Sequence, residues 1–393
     1  MKVVLAFSGG LDTTYCAIYL AKELGYNVYA VTVNTGGFDN NERTQLEKKA
    51  VSLGVKEYHF LDVTEDFYQK GVKYLIFGNV LKNNTYPLSV SAERVFQAAA
   101  IAEYANKIGA DAIAHGSTGA GNDQVRFDLV FQTLCREKKI ITPIRDNQLS
   151  REEEIDFLRQ NGVSGDWEKA KYSINQGLWG TSVGGKETLT SDQYLPEEAF
   201  PSQLQTTGSQ TITIEFKKGE PIRLNGMRGN PVKVIQQLNK LGAKYAVGRD
   251  IHVGDTMIGT KGRVGFEAPA ALMLIKAHHA LEKHVLSKTQ IKLKDQLAAW
   301  HGEMMHEGQY LDPAMRDVEA FLESSQTNVT GKVKIFLAPY RFYVEGIISP
   351  NDLMQPAFSQ YGEMNNAWTG EDAKGFVKIL ANQGKILNTV HHD

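Results

Sequence analysis

The sequence predicts an α/β protein: a doubly wound parallel sheet first, then an α+β region and a C-terminal helical arm. Three observations carry this. Short apolar runs alternate with helical patterns at βαβ spacing over the first ~160 residues. Gly-rich turns follow the first and fourth runs directly, where open parallel sheets bind ligands. Near residue 162 the rhythm gives way to hairpin signals and long helices.

The elements follow in order. Residues 3–7 (VVLAF) read as a strand buried on both faces, as central parallel strands are. Ser8-Gly9-Gly10 turns the chain into a helix over residues 13–24. A second strand spans 27–34, a charged helix 41–53 and a third strand 57–63. Helices at 66–81 and 92–108 follow, the latter with an Ala-rich face suited to close packing. Residues 111–115 and 140–144 give the fourth and fifth strands. Ser150 with Glu153 three residues on is a capping box. Glu152, Glu153 and Glu154 suit that helix's first turn through its dipole. Residues 167–201 are rich in Gly, Ser and Thr and poor in periodicity, as a functional loop is. Strands at 211–216 and 221–224 flank a tip at Lys217-Lys218-Gly219-Glu220. Asn230-Pro231 opens a helix. Long helices are expected at 270–286 and onward through Trp300, and from Asp312-Pro313 to Ser325. Two strands fall within 332–348 and a final helix at 371–387. The expected division is 1–165, 166–355 and 356–393.

At 393 residues, 42% apolar and 22% charged, the chain is long and apolar enough for two domains plus an appendage. A net charge of −2 gives no field that would draw nucleic acid. Neither an apolar run of membrane length nor a signal-peptide pattern occurs. Cys16 and Cys135 form no CxxC, and a reducing, cytoplasmic setting is expected. His278, His279, His284, His301 and His306 lack HExxH spacing and read as core or solvated residues.

Two stretches carry chemistry. In the first, residues 2–14 (KVVLAFSGGLDTT), a buried strand meets a Gly-Gly turn whose N–H groups can approach an anion. The next helix offers its N-terminus, and Ser8, Thr13 and Thr14 add hydroxyls. This is a phosphate cradle, and Asp12 sits where a carboxylate could hold Mg²⁺. No GxxxxGK[ST] occurs, so it is not a Walker A loop. In the second, residues 115–127 (HGSTGAGNDQVRF), three glycines, Thr118, Asn122, Asp123 and Arg126 share one strand-to-helix loop. A carboxylate there can take an amine, and an Arg a carboxylate.

The first loop resembles the SGGxD[ST] pyrophosphate loop of the N-type ATP pyrophosphatases, which cleave ATP to AMP and pyrophosphate to adenylate a carbonyl oxygen. Both loops together closely resemble the argininosuccinate synthase family, with A-[FY]-S-G-G-L-D-T-S and H-G-x-T-G-x-G-N-D-Q-V-R-F nearly unbroken. Val33-Asn34-Thr35-Gly36-Gly37, Tyr172-Ser173, Ser182 and Gly248-Arg249 add to a resemblance that spans essentially the whole chain. It implies an adenine nucleotide α-hydrolase-like domain, a synthetase domain, and an arm that helps build a homotetramer. It implies ligation of citrulline and aspartate to argininosuccinate through citrullyl-AMP, with ATP and Mg²⁺. By resemblance, Ala6, Phe7, Ser8, Gly9, Gly10, Leu11, Asp12, Thr13, Thr14, Val33 and Gly116 hold ATP. Thr118, Asn122 and Asp123 hold aspartate. Tyr86, Ser91, Asn122, Arg126, Ser173 and Ser182 hold citrulline. Asp12, Asp123 and Arg126 stand nearest the chemistry.

The chain departs from the family pattern at the amino-acid end. Val90 replaces a Thr, Ala120 a Lys, Gly254 a Glu that contacts citrulline, and Phe266 a Tyr. The favoured reading is a divergent branch that uses plain citrulline with rearranged contacts; the alternative is a pocket for an N-acylated citrulline, or one in which another acid, Asp255 or Glu93, takes the free amine. The rival pyrophosphate-loop enzymes fit less well. Position 2 is Lys2 rather than a glutaminase Cys, and neither CxxC nor a basic RNA-binding region marks a tRNA thiolase. A regulatory module without turnover would not need the second loop.

Overall fold

Val3, Val4 and Leu5 have no solvent exposure, and their side chains divide between two cores. Val3, Leu5 and Phe7 pack with Cys16, Ala17, Ala50, Leu53 and Leu158. Val4 and Ala6 pack on the other face with Ala98, Ile101, Ala102, Phe127 and Val130. A strand with helices on both faces must be apolar at every position, and this one is. Burying each such side chain contributes ~1.5–3 kcal/mol.

The computed structural model describes residues 1–165, 167, 171–354 and 367–391. Strands β1 (Lys2–Ala6), β2 (Asn27–Asn34), β3 (Glu57–Asp62), β4 (Ala112–Ala114) and β5 (Lys139–Ile141) form one parallel sheet in the order β3-β2-β1-β4-β5. Between them run α1 (Leu11–Ile18), α2 (Asn40–Ser52), α3 (Thr64–Phe67), α4 (Lys73–Phe77), α5 (Glu93–Lys107) and α6 (Asp123–Leu134). After β5 come α7 (Pro143–Asp146) and α8 (Arg151–Gln160). The strand order reverses between β1 and β4, so the crevice beyond their carboxyl ends is the switch point where open α/β sheets bind ligands.

Two antiparallel sheets follow. One is β11-β12-β7-β6, from β6 (Ser173–Gly177), β7 (Gly180–Gly184), β11 (Arg249–Asp255) and β12 (Lys261–Glu267). The other is β10-β9-β8-β13-β14, from β8 (Gln210–Lys217), β9 (Glu220–Leu224), β10 (Met227–Arg228), β13 (Gly331–Ala338) and β14 (Arg341–Ile348). Helices α9 (Pro231–Lys244), α10 (Pro269–Val285), α11 (Lys288–His306) and α12 (Pro313–Ser325) pack with them, and α13 (Gly370–Leu380) and α14 (Asn382–Val390) close the chain.

The predicted α/β class, the five parallel strands and the capped helices at Ser150, Asn230 and Asp312 are present. Several expectations need correction. The helix expected over 66–81 ends at Phe77, and Asn79 adopts a left-handed φ of 51° just beyond it. The fifth strand stops at Ile141 because Pro143 opens a short helix. Residues 167–201 are not one loop, since β6 and β7 lie inside them; their Gly, Ser and Thr content hid the alternation. The hairpin β11–β12 was not foreseen. The C-terminal helix is two, broken at Ala381. Residues 168–170 of the expected loop, and 356–366 and 392–393 of the expected arm, lie outside the described residues.

Candidate active site at the switch point

The cradle is built from backbone. Gly9 sits at φ +74°, and a Cβ there would meet the Leu46 side chain at 2.4 Å, so only glycine turns the chain here. Lys49 reaches over from α2 to donate from Nζ to the Gly9 carbonyl (2.5 Å). The Ser8 N–H donates to Thr13 Oγ1 (3.3 Å), and Thr14 donates from Oγ1 to the Gly10 carbonyl (2.6 Å). Helix α1 begins at Leu11, two residues earlier than expected, so its unpaired N–H groups open directly onto the turn.

Asp12 stands at that opening beside the second loop: a Cβ on Gly116 would lie 3.1 Å from its Cβ. Burial pushes the Asp12 carboxyl above the usual range, beside the Glu154 carboxyl of α8. Burial and the Asp12 charge push Glu154 up to about 8. One Glu154 oxygen is buried without a partner among the described residues. Glu154 lies in the first turn of α8, as expected, but it is buried; Glu153 alone closes the capping box on Ser150.

The second loop ends in α6, which presents Asp123 between two guanidiniums. Arg94 Nε donates to Asp123 Oδ2 (2.9 Å) and Arg126 Nη1 to Oδ1 (2.8 Å). Burial opposes ionisation, but Arg94 and Arg126 outweigh it and hold Asp123 at about 2. Arg126 is buried; its Nε donates to the His306 carbonyl (2.8 Å). His306 Nδ1 lies 3.2 Å from Ser91 Oγ, and burial together with Arg126 pushes its imidazole down to about 2. Tyr86 packs edge-on to His306 at 6.4 Å and tilted on Phe266 at 5.5 Å. The segment bearing Tyr86 and Ser91 turns through a left-handed Leu88 (φ 61°), an outlier for a bulky side chain.

The sheet β11-β12-β7-β6 walls this cleft. The Leu178 N–H donates to the Thr35 carbonyl (3.0 Å), which lays the β6–β7 turn over the loop after β2. Asn175 of β6 accepts from Arg94 Nη2 (3.3 Å). From β11–β12, the Met257 N–H donates to Asn122 Oδ1 (2.9 Å).

Of the residues singled out in sequence, Ala6 to Thr14 and Gly116 meet at one edge, with Val33 at the end of the adjacent β2. Tyr86, Ser91, Asn122, Asp123 and Arg126 form a second group. Thr118 and Ser173 are exposed, and Ser182 stands in register with Asn175 and Phe266. Neither acid expected to take a free amine is free. Glu93 is buried, accepts from Thr35 Oγ1 (2.7 Å) and pairs with Arg94, while burial pushes its carboxyl up to about 7. Asp255 is exposed and pairs with Lys261. Sequence reasoning missed Arg94, Lys49, His252 and His306. Single residues of these types give no signal until the fold brings them together.

Comparison with known proteins finds one family along the chain. Residues 2–164 match the family model of the arginosuccinate synthase N-terminal HUP domain, and residues 172–387 that of the arginosuccinate synthase C-terminal domain. An argininosuccinate synthase of Dictyoglomus turgidum is 37% identical over 388 residues, covering 98% of this chain and 97% of the relative. One of Methanocaldococcus jannaschii is 36% identical, covering 88% and 91%. One of Xylella fastidiosa is 38% identical, covering 96% and 95%.

Proposed function

The chain belongs to the argininosuccinate synthase family of ATP-dependent ligases, and from that premise we propose that it joins L-citrulline to L-aspartate through citrullyl-AMP. The observation that carries this reading is the juxtaposition of the two loops at the β1/β4 switch point: a phosphate cradle against an amino-acid site centred on Asp123 and Arg126.

In this mechanism Gly9, Gly10 and the start of α1 bind the triphosphate, and Lys49 fixes the turn. The ureido oxygen attacks the α-phosphorus and pyrophosphate leaves; the aspartate amine then attacks the ureido carbon and AMP leaves. No enzyme nucleophile is required. Bringing the reactants together can supply ~7–11 kcal/mol of the barrier, and fixed N–H donors stabilise the developing charge. Asp123 stays ionised through neutral pH and so accepts from the aspartate ammonium. Arg126, held by the His306 carbonyl, positions the ureido acid. Mg²⁺ neutralises phosphate charge when bound. Asp12 would hold it: an oxygen donor at the cradle suits a hard cation that takes one or two carboxylates plus phosphates.

Thr118 and Asn122 complete the aspartate site, and Tyr86, Ser91, Ser173 and Ser182 the citrulline site. We assign 1–165 to nucleotide binding, 166–355 to the synthetase and 356–393 to a homotetramer arm. The exposed Phe376, Val377, Ile379, Leu380, Ile386 and Leu387 support that arm.

The test is ATP, aspartate and citrulline labelled with ¹⁸O in the ureido group. Label should appear in AMP, and pyrophosphate release should require citrulline. Unlabelled AMP, or release without citrulline, would overturn the assignment. A second reading keeps the chemistry on an N-acylated citrulline. It is favoured by the commitment of Glu93 and Asp255 to other partners, and relative turnover of N-acetyl- and N-succinylcitrulline decides it.

A further inference from the structure

We propose that His252 determines specificity for the ureido substrate, accepting a hydrogen bond from its α-ammonium group through Nδ1. The inference rests on the ligase reading above and names the group that reads the amino end.

The hairpin β11–β12 places His252 there. Asn83 Nδ2 donates to the Val253 carbonyl (3.1 Å), Met257 N donates to Asn122, and Phe266 packs on Tyr86. The hairpin thus spans the amino-acid end of the cleft from Tyr86 to Asn122. His252 and Gly254 are its inward-facing residues. The His252 ring stacks on Tyr86 with centroids 5.1 Å apart and planes at 22°. The residue is only 5% exposed, and its Nδ1 is buried without a partner among the described residues. A buried polar atom left unpaired is rare in a folded protein and asks for an explanation.

Gly254 supplies part of it. A Cβ at position 254 would lie 2.5 Å from His252 Nε2 and 3.4 Å from Asn83 Nδ2. A side chain at 254 and the imidazole in this place exclude one another, so the glycine is the condition for the histidine. The neighbouring acceptors are already engaged. Glu93 serves Thr35 and Arg94, His306 serves Ser91 and Arg126, and Asp123, held by Arg94 and Arg126, is the acceptor already assigned to the aspartate ammonium. His252 Nδ1 is left.

Burial and the nearby Lys82 push the His252 imidazole below its usual range, so the ring is neutral. A neutral imidazole with its proton on Nε2 offers the Nδ1 lone pair. An ammonium donor makes that bond charge-assisted, whereas an acylated nitrogen brings only a neutral N–H and extra bulk against Tyr86.

The test compares citrulline with 5-ureidopentanoic acid, the same molecule without the α-amine, in pyrophosphate release with ATP and aspartate. Wild type should favour citrulline by about ten- to a hundredfold in KM. His252→Phe keeps a ring on Tyr86 but removes the acceptor; it should erase that preference while kcat and the KM for ATP change less than about twofold. His252→Asn, with an amide oxygen near the Nδ1 position, should restore part of it. Gly254→Ala, which displaces the imidazole, should lower the preference as His252→Phe does, and serves if the Phe variant fails to fold. An undiminished preference in the folded variants, or better use of N-acetylcitrulline than of citrulline by wild type, overturns the inference and leaves the ligase reading standing. No turnover of any ureido acid by wild type overturns both.

Discussion

Two networks of paired acids and bases in this molecule serve opposite ends. At the cleft, Asp123 sits between Arg94 and Arg126 with its side chain 40% exposed. In the interior, Lys294, Glu282 and His278 have no exposure at all. There Lys294 Nζ lies 3.1 Å from Glu282 and donates to the Phe77 carbonyl, while Glu282 also accepts from Asn79 and Gln326. The sealed network ties the end of α4 to α10, α11 and the chain after α12. It has no route for exchange: each polar atom was desolvated on folding, and the neighbours replace water. The open network keeps one carboxylate ionised where a ligand can reach it. The exposure of its carboxylate separates the network at the cleft from the one in the scaffold.

The sharpest test of that contrast is to break one pair in each network. Lys294→Ala leaves Glu282 buried without its strongest partner and should destabilise the fold by ~3–5 kcal/mol, read by denaturant unfolding. Lys294→Met with Glu282→Leu should recover most of that loss, since an apolar pair of similar volume needs no charge. Arg126→Lys should do the reverse: about a hundred- to a thousandfold loss of turnover, with the melting temperature little moved. If Arg126→Lys unfolds the protein, or Lys294→Ala leaves stability intact, the contrast fails.

A smaller effect tests the carboxyl pair at the cradle. Glu154 binds its proton more tightly folded than unfolded, so it favours the fold at low pH. That contribution fades as pH rises from the ordinary carboxylate range through about 8. Glu154→Gln should flatten the fall of melting temperature between pH 6 and 9; an unchanged slope would assign the fall to other groups. Smallest is Ser150→Ala, which removes one capping bond from the helix bearing Glu154 and should cost about 1 kcal/mol with ATP affinity retained.

Legibility followed sequence distance. Strand β1, the Gly9 turn and the start of α1 are contiguous, and their chemistry could be read directly. So could the capping residues Ser150 and Asn230, whose partners lie three residues away. What could not be read were pairings across long separations. Arg126 meets His306 180 residues on, and Thr35 meets Glu93 58 residues on. The hairpin β6–β7 was hidden because Gly177, Gly180 and Gly184 carry no hydrophobic signal. The inward face of β11 was hidden because His252 and Gly254 do not look like core residues. Glu93 and Asp255 were named for a role that burial and pairing deny them.

The contact between Arg126 and the His306 carbonyl also bears on synthesis. A growing chain completes the cradle and the whole parallel sheet by residue 165, and a domain of that size folds as a unit while translation continues. The acceptor that holds Arg126 has not yet been made. Until α11 emerges, such a chain has a nucleotide site without an organised partner site. A chain interrupted before α11 lacks the carbonyl that holds Arg126.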